Sequence, residues 1–153
     1  MKNNLVQTQA KQKALDLFKH AYKNCSAYTD FVNSSGVNAN EIKTIDDFEK
    51  IPVTSKENYI KKYPIQQRLY SGKTLSDYYM ICSSSGSSGK PTFWPRDFQT
   101  DKKLEKAKEA LLEEHFQISK QKTLCLITFG LGVWTAGMLS AKLSWPAAEH
   151  NKF

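Results

Sequence analysis

Apolar and polar positions alternate along this chain with two different periods, and the switch between them marks out its elements. From Val6 to Asn24 the apolar residues recur three and four apart. Leu15, Phe18 and Tyr22 share one side with Ala14, Leu17 and Ala21, which predicts an amphipathic helix. A second short helix is expected over Tyr28–Ser34, stopped at Gly36 as its C-terminal cap. Thr44–Glu49 suits one more turn before Ile51-Pro52, where proline discourages helix continuation. Thr54-Ser55-Lys56-Glu57 has the form of a capping box, Thr54 and Glu57 each satisfying a free N–H at the start of a helix that runs to about Lys62.

The period then shortens. Tyr78–Ser83 (YYMICS) has the aromatic and β-branched content of a strand, Ser84–Lys90 reads as a loop, and Pro91–Trp94 as a returning strand. Asp97–Phe116 carries the clearest helical pattern. Leu104, Ala107, Leu111, Leu112 and His115 recur on one face, and Lys102, Lys106, Glu109 and Glu113 line the other. His115 fits a packing or boundary position better than a catalytic one.

The uncharged stretch Thr123–Ala141 admits two readings. Its length approaches the ~20 residues that span a bilayer. Alternatively it divides into a buried strand (Thr123–Phe129), a turn (Gly130-Leu131-Gly132) and a helix (Val133–Leu143). Central glycines and β-branched residues on the N-terminal side favour the division, and a continuous apolar strand is what a parallel sheet requires. The order of helices, strand–loop–strand, helix, strand and helix indicates an α/β protein. Its organisation is an N-terminal helical segment over 1–77 and the start of an α/β core over 78–153. The last helix should cross over to another parallel strand, so the sheet is expected to be incomplete without a partner or a further C-terminal part.

Charge and cysteine usage narrow the picture only a little. A net charge of +7 favours anionic partners, but the 22 basic residues are scattered, which gives no nucleic-acid signature. Cys25, Cys82 and Cys125 form no CxxC pair and are odd in number, against a structural zinc site and in favour of a reducing compartment. The N-terminus lacks the apolar core of a secretory signal, so a cytoplasmic location is expected, without a membrane anchor.

The chemistry is concentrated in Ser83-Ser84-Ser85-Gly86-Ser87-Ser88-Gly89-Lys90-Pro91. Glycines allow positive φ and close approach of the backbone to a ligand. Successive N–H groups in such turns make an anion-accepting concavity, hydroxyls add donors, and Lys90 supplies a point charge suited to phosphate. Only two residues separate Gly86 from Gly89 and Pro91 follows Lys90, so this is neither a Walker A loop nor the G-x-G-x-x-G dinucleotide fingerprint. A flexible Ser/Gly linker is the competing reading.

Ser84-Ser85-Gly86-Ser87-Ser88-Gly89-Lys90-Pro91 resembles the phosphate loop of the adenylate-forming superfamily, the acyl-CoA synthetases and their relatives, and most of all its phenylacetate–CoA ligase-like branch, in which threonine follows as at Thr92. Ile51-Pro52-Val53-Thr54-Ser55-Lys56 with Tyr63-Pro64, and Phe129–Gly137, are similar to segments flanking that loop. The resemblance implies the N-terminal portion of the large domain of an adenylate-forming enzyme, with an incomplete sheet and packing helices. It implies ATP with Mg2+, held at Ser84, Ser85, Gly86, Ser87, Ser88, Gly89 and Lys90, and a small carboxylic acid, aromatic or aliphatic, facing Gly132 and Trp134. CoA is the implied acceptor. For Trp134, ordinary core packing is an equal alternative. Catalytic and metal-binding residues are not assigned to this chain, because in that family they lie further along; alone, it is expected to be inactive. The alternatives are a non-catalytic module binding nucleotide or a partner through the same loop, and a small membrane-anchored protein spanning 123–141.

Overall fold

The computed structural model describes residues 2–84, 86 and 90–151. The chain divides into two compact units, Met1–Thr74 and Leu75–Phe153. It is α-rich with a small two-stranded antiparallel sheet, an arrangement compatible with the α/β class.

The first unit is built on α1 (Lys2–Asn24) and α2 (Ser26–Ser34), followed by short single turns. Leu15 and Phe18 of α1 are buried with Phe31 and Val32 of α2, Ile42 and Tyr63. Aromatic rings supply much of the packing: the rings of Phe31 and Tyr59 meet edge to face at 5.5 Å, and those of Phe18 and Phe48 at 5.9 Å. The expected apolar face of α1 is narrower than its composition suggests. Leu17 is 62% exposed, because a step of about 100° per residue carries it off the Leu15–Phe18–Tyr22 seam. Gly36, at φ +74, closes α2 in the left-handed conformation glycine adopts without penalty.

The capping box sits one residue later than expected. Ser55 and Asn58 form it, the Asn58 N–H meeting Ser55 Oγ at 3.1 Å and the Ser55 N–H meeting Asn58 Oδ1 at 2.7 Å. Glu57, released from that role, pairs with Lys61 at 2.6 Å on the surface. The turn it opens covers only Lys56–Ile60.

In the second unit, β1 (Met80–Ser83) and β2 (Phe93–Arg96) form a hairpin with Met80 opposite Arg96 and Ser83 opposite Phe93. Pro95 lacks an N–H, which suits β2 to an edge. Helix α3 (Phe98–Phe116) starts where Asp97 accepts the Thr100 N–H at 2.9 Å. It packs against α4 (Thr135–Asn151), tied by Lys142 to Glu105 at 3.0 Å and by His150 to Glu109 at 3.1 Å. The expected apolar face of α3 is not the one that packs. Leu104 and Leu111 are exposed, and the buried residue of the helix is Asp101.

Two further expectations change. Thr123–Phe129 is not a buried parallel strand: it joins no ladder, and Leu124 and Leu126 are 82% and 74% exposed. An apolar run becomes a strand only if another strand accepts its backbone, and among the described residues none does. The helix after the glycine turn begins at Thr135 rather than Val133 and continues through Pro146 to Asn151. Proline there removes the bond to the Lys142 carbonyl. No helix among the described residues is long and apolar enough to cross a membrane, and 123–141 is broken between a segment without regular secondary structure and α4.

Candidate functional site: the loop after β1 and the Gly130–Gly137 corner

The loop leaves β1 at Ser83 and re-enters the hairpin at Thr92; two hydrogen bonds fasten its two ends and a third lies within the first. The Ser84 N–H donates to the Thr92 carbonyl at 2.9 Å, the Thr92 N–H returns to Ser84 Oγ at 2.9 Å, and Ser83 Oγ donates to the Ser84 carbonyl at 3.1 Å. Ser84 is thus a clamp of the loop base, its hydroxyl already engaged. Gly86 takes φ +63, and a Cβ placed there would meet the Pro91 nitrogen at 3.0 Å, so the turn accepts only glycine without strain. Lys90 is exposed at the far side. Ser85, Ser87, Ser88 and Gly89 lie outside the described residues.

The other edge of β1 meets the glycine corner. The Ser83 N–H donates to the Val133 carbonyl at 2.9 Å, Thr135 Oγ1 donates to the Ser83 carbonyl at 2.9 Å, and Ser83 and Trp134 form an isolated parallel bridge. The residue that opens the loop is therefore the one that anchors the start of α4. Gly137 lies so close to the corner that a Cβ on it would fall 2.1 Å from the Gly130 carbonyl oxygen. That close approach holds the first turn of α4 against the chain that precedes it.

Between these parts opens a cavity of about 400 Å3 lined by Ser83, Ser84, Phe129, Gly130, Trp134, Thr135 and Ala136. Phe129 and Trp134 give it aromatic walls. Thr135 and Ala136 belong to the first turn of α4, whose N–H groups have no acceptor within the helix, the first such bond running from Met138 to Trp134 at 3.2 Å. Such a turn favours an anionic group. Trp134 thus lines this space and is 42% exposed. Gly132, at φ +84, turns the chain but does not line the cavity; Gly130 does. Cys82, fully buried behind the loop, is a packing residue, since burial pushes its thiol up and away from a reactive thiolate. Among the described residues no grouping of three His, Cys, Asp or Glu could hold a metal ion.

A polar frame holds the hairpin to both helices. Asp101 on α3 is fully buried. It accepts from the Tyr79 hydroxyl just before β1 and from the Arg96 guanidinium at the end of β2, and pairs with Lys142 of α4 at 3.2 Å. Lys142 Nζ also sits 5.3 Å from the centre of the Tyr79 ring. Burial pushes the Asp101 carboxyl up, but these three donors outweigh it and hold it below its ordinary value. Sequence reasoning missed this frame. In a helix rich in Lys and Glu, one more acid carries no mark, and its partners lie 5 to 41 residues away, on separate elements.

No family model matches the chain. A phenylacetate–coenzyme A ligase of Aromatoleum evansii is 30% identical to it over 74 residues, which is 48% of this chain and 16% of that relative. The chain thus spans about a sixth of the curated relative it matches, and the resemblance to such ligases, partial and distant, is what the comparisons give.

Proposed function

We propose that this chain carries the phosphate loop and one wall of the acid pocket of an ATP-dependent carboxylate–CoA ligase related to the phenylacetate–CoA ligases. The observation that carries the reading is the joint at Ser83, where the glycine–serine loop and the first turn of α4 meet around an aromatic-walled cavity of about 400 Å3. That volume suits a small acid, and the partial likeness to a phenylacetate–coenzyme A ligase supports the choice.

In this reading Ser85, Ser87, Ser88, Gly89 and Lys90 receive the β- and γ-phosphates of ATP, while Gly86 sets the turn of the loop. The carboxylic acid lies between Phe129 and Trp134, its carboxylate toward the free N–H groups of α4. A carboxylate is a poor acyl donor, so the anionic leaving group needs preorganised donors as it departs. Lys90 and the loop N–H groups supply them. Magnesium would share the phosphate charge, with its acidic ligand supplied by the complete enzyme rather than by this chain. CoA is the acceptor thiol of the complete ligase, and turnover belongs to that complete enzyme.

The test is ATP binding by titration calorimetry, with the chain compared against a Lys90→Ala, Ser87→Ala double variant. The expected result is at least a tenfold loss of affinity, the weight of about one charge-assisted contact. Equal affinity in both proteins would remove the loop from nucleotide binding. Hydroxamate formation from phenylacetate and ATP by the complete polypeptide then separates a ligase from a module that only binds nucleotide.

A further inference from the structure

The hydroxyl of Thr135 has one proton, and that proton is spent. It is donated to the Ser83 carbonyl at 2.9 Å, so Oγ1 has only lone pairs left for the cavity that Thr135 lines. An ionised carboxylate is itself acceptor-only and gains nothing from such an oxygen. Thr135 therefore does not hold an acid in this cavity; what it holds is Ser83. Among the described residues this is the only side-chain hydrogen bond between the first turn of α4 and β1.

We propose that Thr135 is a positioning residue, which fixes Trp134 as the aromatic wall of the cavity and so sets its preference for aromatic over aliphatic acids. The inference rests on reading that cavity as the acid pocket. Ser83 grips the chain on both sides of Trp134: its N–H donates to the Val133 carbonyl at 2.9 Å, and its carbonyl accepts from Thr135. Ser83 is a firm anchor, since it is buried and paired with Phe93 across the hairpin. Little else holds Trp134. Its ring is half-exposed, the chain before it turns at Gly132 with φ +84, and Leu131 and Val133 beside that turn are exposed. Releasing the Thr135 hydroxyl frees the backbone from which the indole projects. The consequence depends on the ligand. One ring gains from another only at defined separations and angles, whereas burial of an alkyl chain is non-directional. A wall ordered beforehand also spares the ligand the cost of ordering it.

The experiment uses the whole chain with Trp94→Phe and Trp145→Phe, both at exposed positions, which leaves Trp134 as its one tryptophan. Phenylacetate and hexanoate are titrated against Trp134 fluorescence, and anisotropy decay reads the motion of the indole on the nanosecond scale. Thr135→Val keeps the branched shape and removes the hydroxyl. It should loosen the indole and weaken phenylacetate about three- to tenfold, the weight of one neutral hydrogen bond. Hexanoate should stay within about twofold of the parent. Thr135→Ala should act as Thr135→Val does, and Thr135→Ser, which retains the hydroxyl, should keep the parent's selectivity. A merely structural hydroxyl would change both acids alike, so the ratio of the two affinities separates the roles. A parent chain that binds neither acid would overturn the reading of the cavity and the inference with it. If the parent binds phenylacetate, the inference alone falls when the valine and alanine variants keep its selectivity, or when the serine variant loses it.

Discussion

Replacing Asp101 by asparagine keeps the shape of the side chain and removes its charge. In the native protein that carboxylate accepts from Tyr79 and Arg96 and pairs with Lys142 at 3.2 Å, at a position with 0% exposure. Breaking a buried ion pair by removing one partner costs about 3–5 kcal/mol, mainly because the surviving charge is left buried. Lys142 retains Glu105 at 3.0 Å, so the stranded cation is Arg96, whose side chain keeps 17% of its exposure and whose Nε already has no partner among the described residues. The low end, about 3 kcal/mol, is therefore expected. Trp94, Trp134 and Trp145, the three tryptophans of the chain, all lie in the second unit, so their fluorescence reports its unfolding. With a urea slope of about 1–2 kcal/mol/M, the midpoint should fall by about 1.5–3 M. A shift below about 0.5 M at unchanged slope would refute the assignment of Asp101 as the frame of this unit. The sign in pH follows from the same group. Its carboxyl is held below the ordinary value of 3.8 in the folded state, so its contribution is full above that value and is lost as pH falls through the folded pKa. The Asp101→Asn variant should lack this part of the acid-induced loss of stability.

Gly137→Ala sets two effects against each other. Alanine favours a helix over glycine by about 1 kcal/mol, but its Cβ would fall 2.1 Å from a backbone oxygen, which cannot move aside like a side-chain tip. Overpacking costs of about 1–3 kcal/mol or more should win, and thermal melts should show a lower Tm; a higher one would mean that α4 does not rest on Gly130. Gln117→Gly should act the other way. Gln117 closes α3 at φ +49, and glycine there relieves left-handed strain for a net gain of about 0.5–1 kcal/mol, read as a raised urea midpoint. Combining Gln117→Gly with Asp101→Asn should give additive shifts if the C-terminal cap and the polar frame are independent.

How much the sequence disclosed depends on the range of the interactions involved. The hairpin and α3 were legible because their signals are local: turn residues between two short runs, and Asp97 three residues before the N–H it caps. The capping box was off by one because Thr54 and Ser55 both fit the pattern, and only the fold chooses between them. The face of α3 was misread because burial of Asp101 depends on Tyr79, Arg96 and Lys142 arriving from three other places. Thr123–Phe129 has the composition of a buried strand, yet composition cannot supply a neighbour. At the candidate site, Trp134 and the Ser84–Thr92 loop were recognisable as a glycine corner and a glycine–serine loop. The joint between them through Ser83 and Thr135 was not, since it links residues 52 apart.

The division of buried groups between the two units has a thermal consequence. Every buried polar or charged residue among those described, Ser83, Thr92, Asp101 and Ser144, falls in the second unit, while the aliphatic and aromatic cluster around Phe18 and Phe31 fills the first. Exposing apolar surface raises the heat capacity and exposing polar surface lowers it, so unfolding of the first unit carries the larger heat-capacity step per residue. Its stability curve bends more sharply, weakening on cooling as hydrophobic burial loses its drive. The second unit, held by a desolvated carboxylate and its cations, follows a flatter curve, because the penalty for burying ions eases as temperature rises. Cold is thus the specific hazard of the first unit.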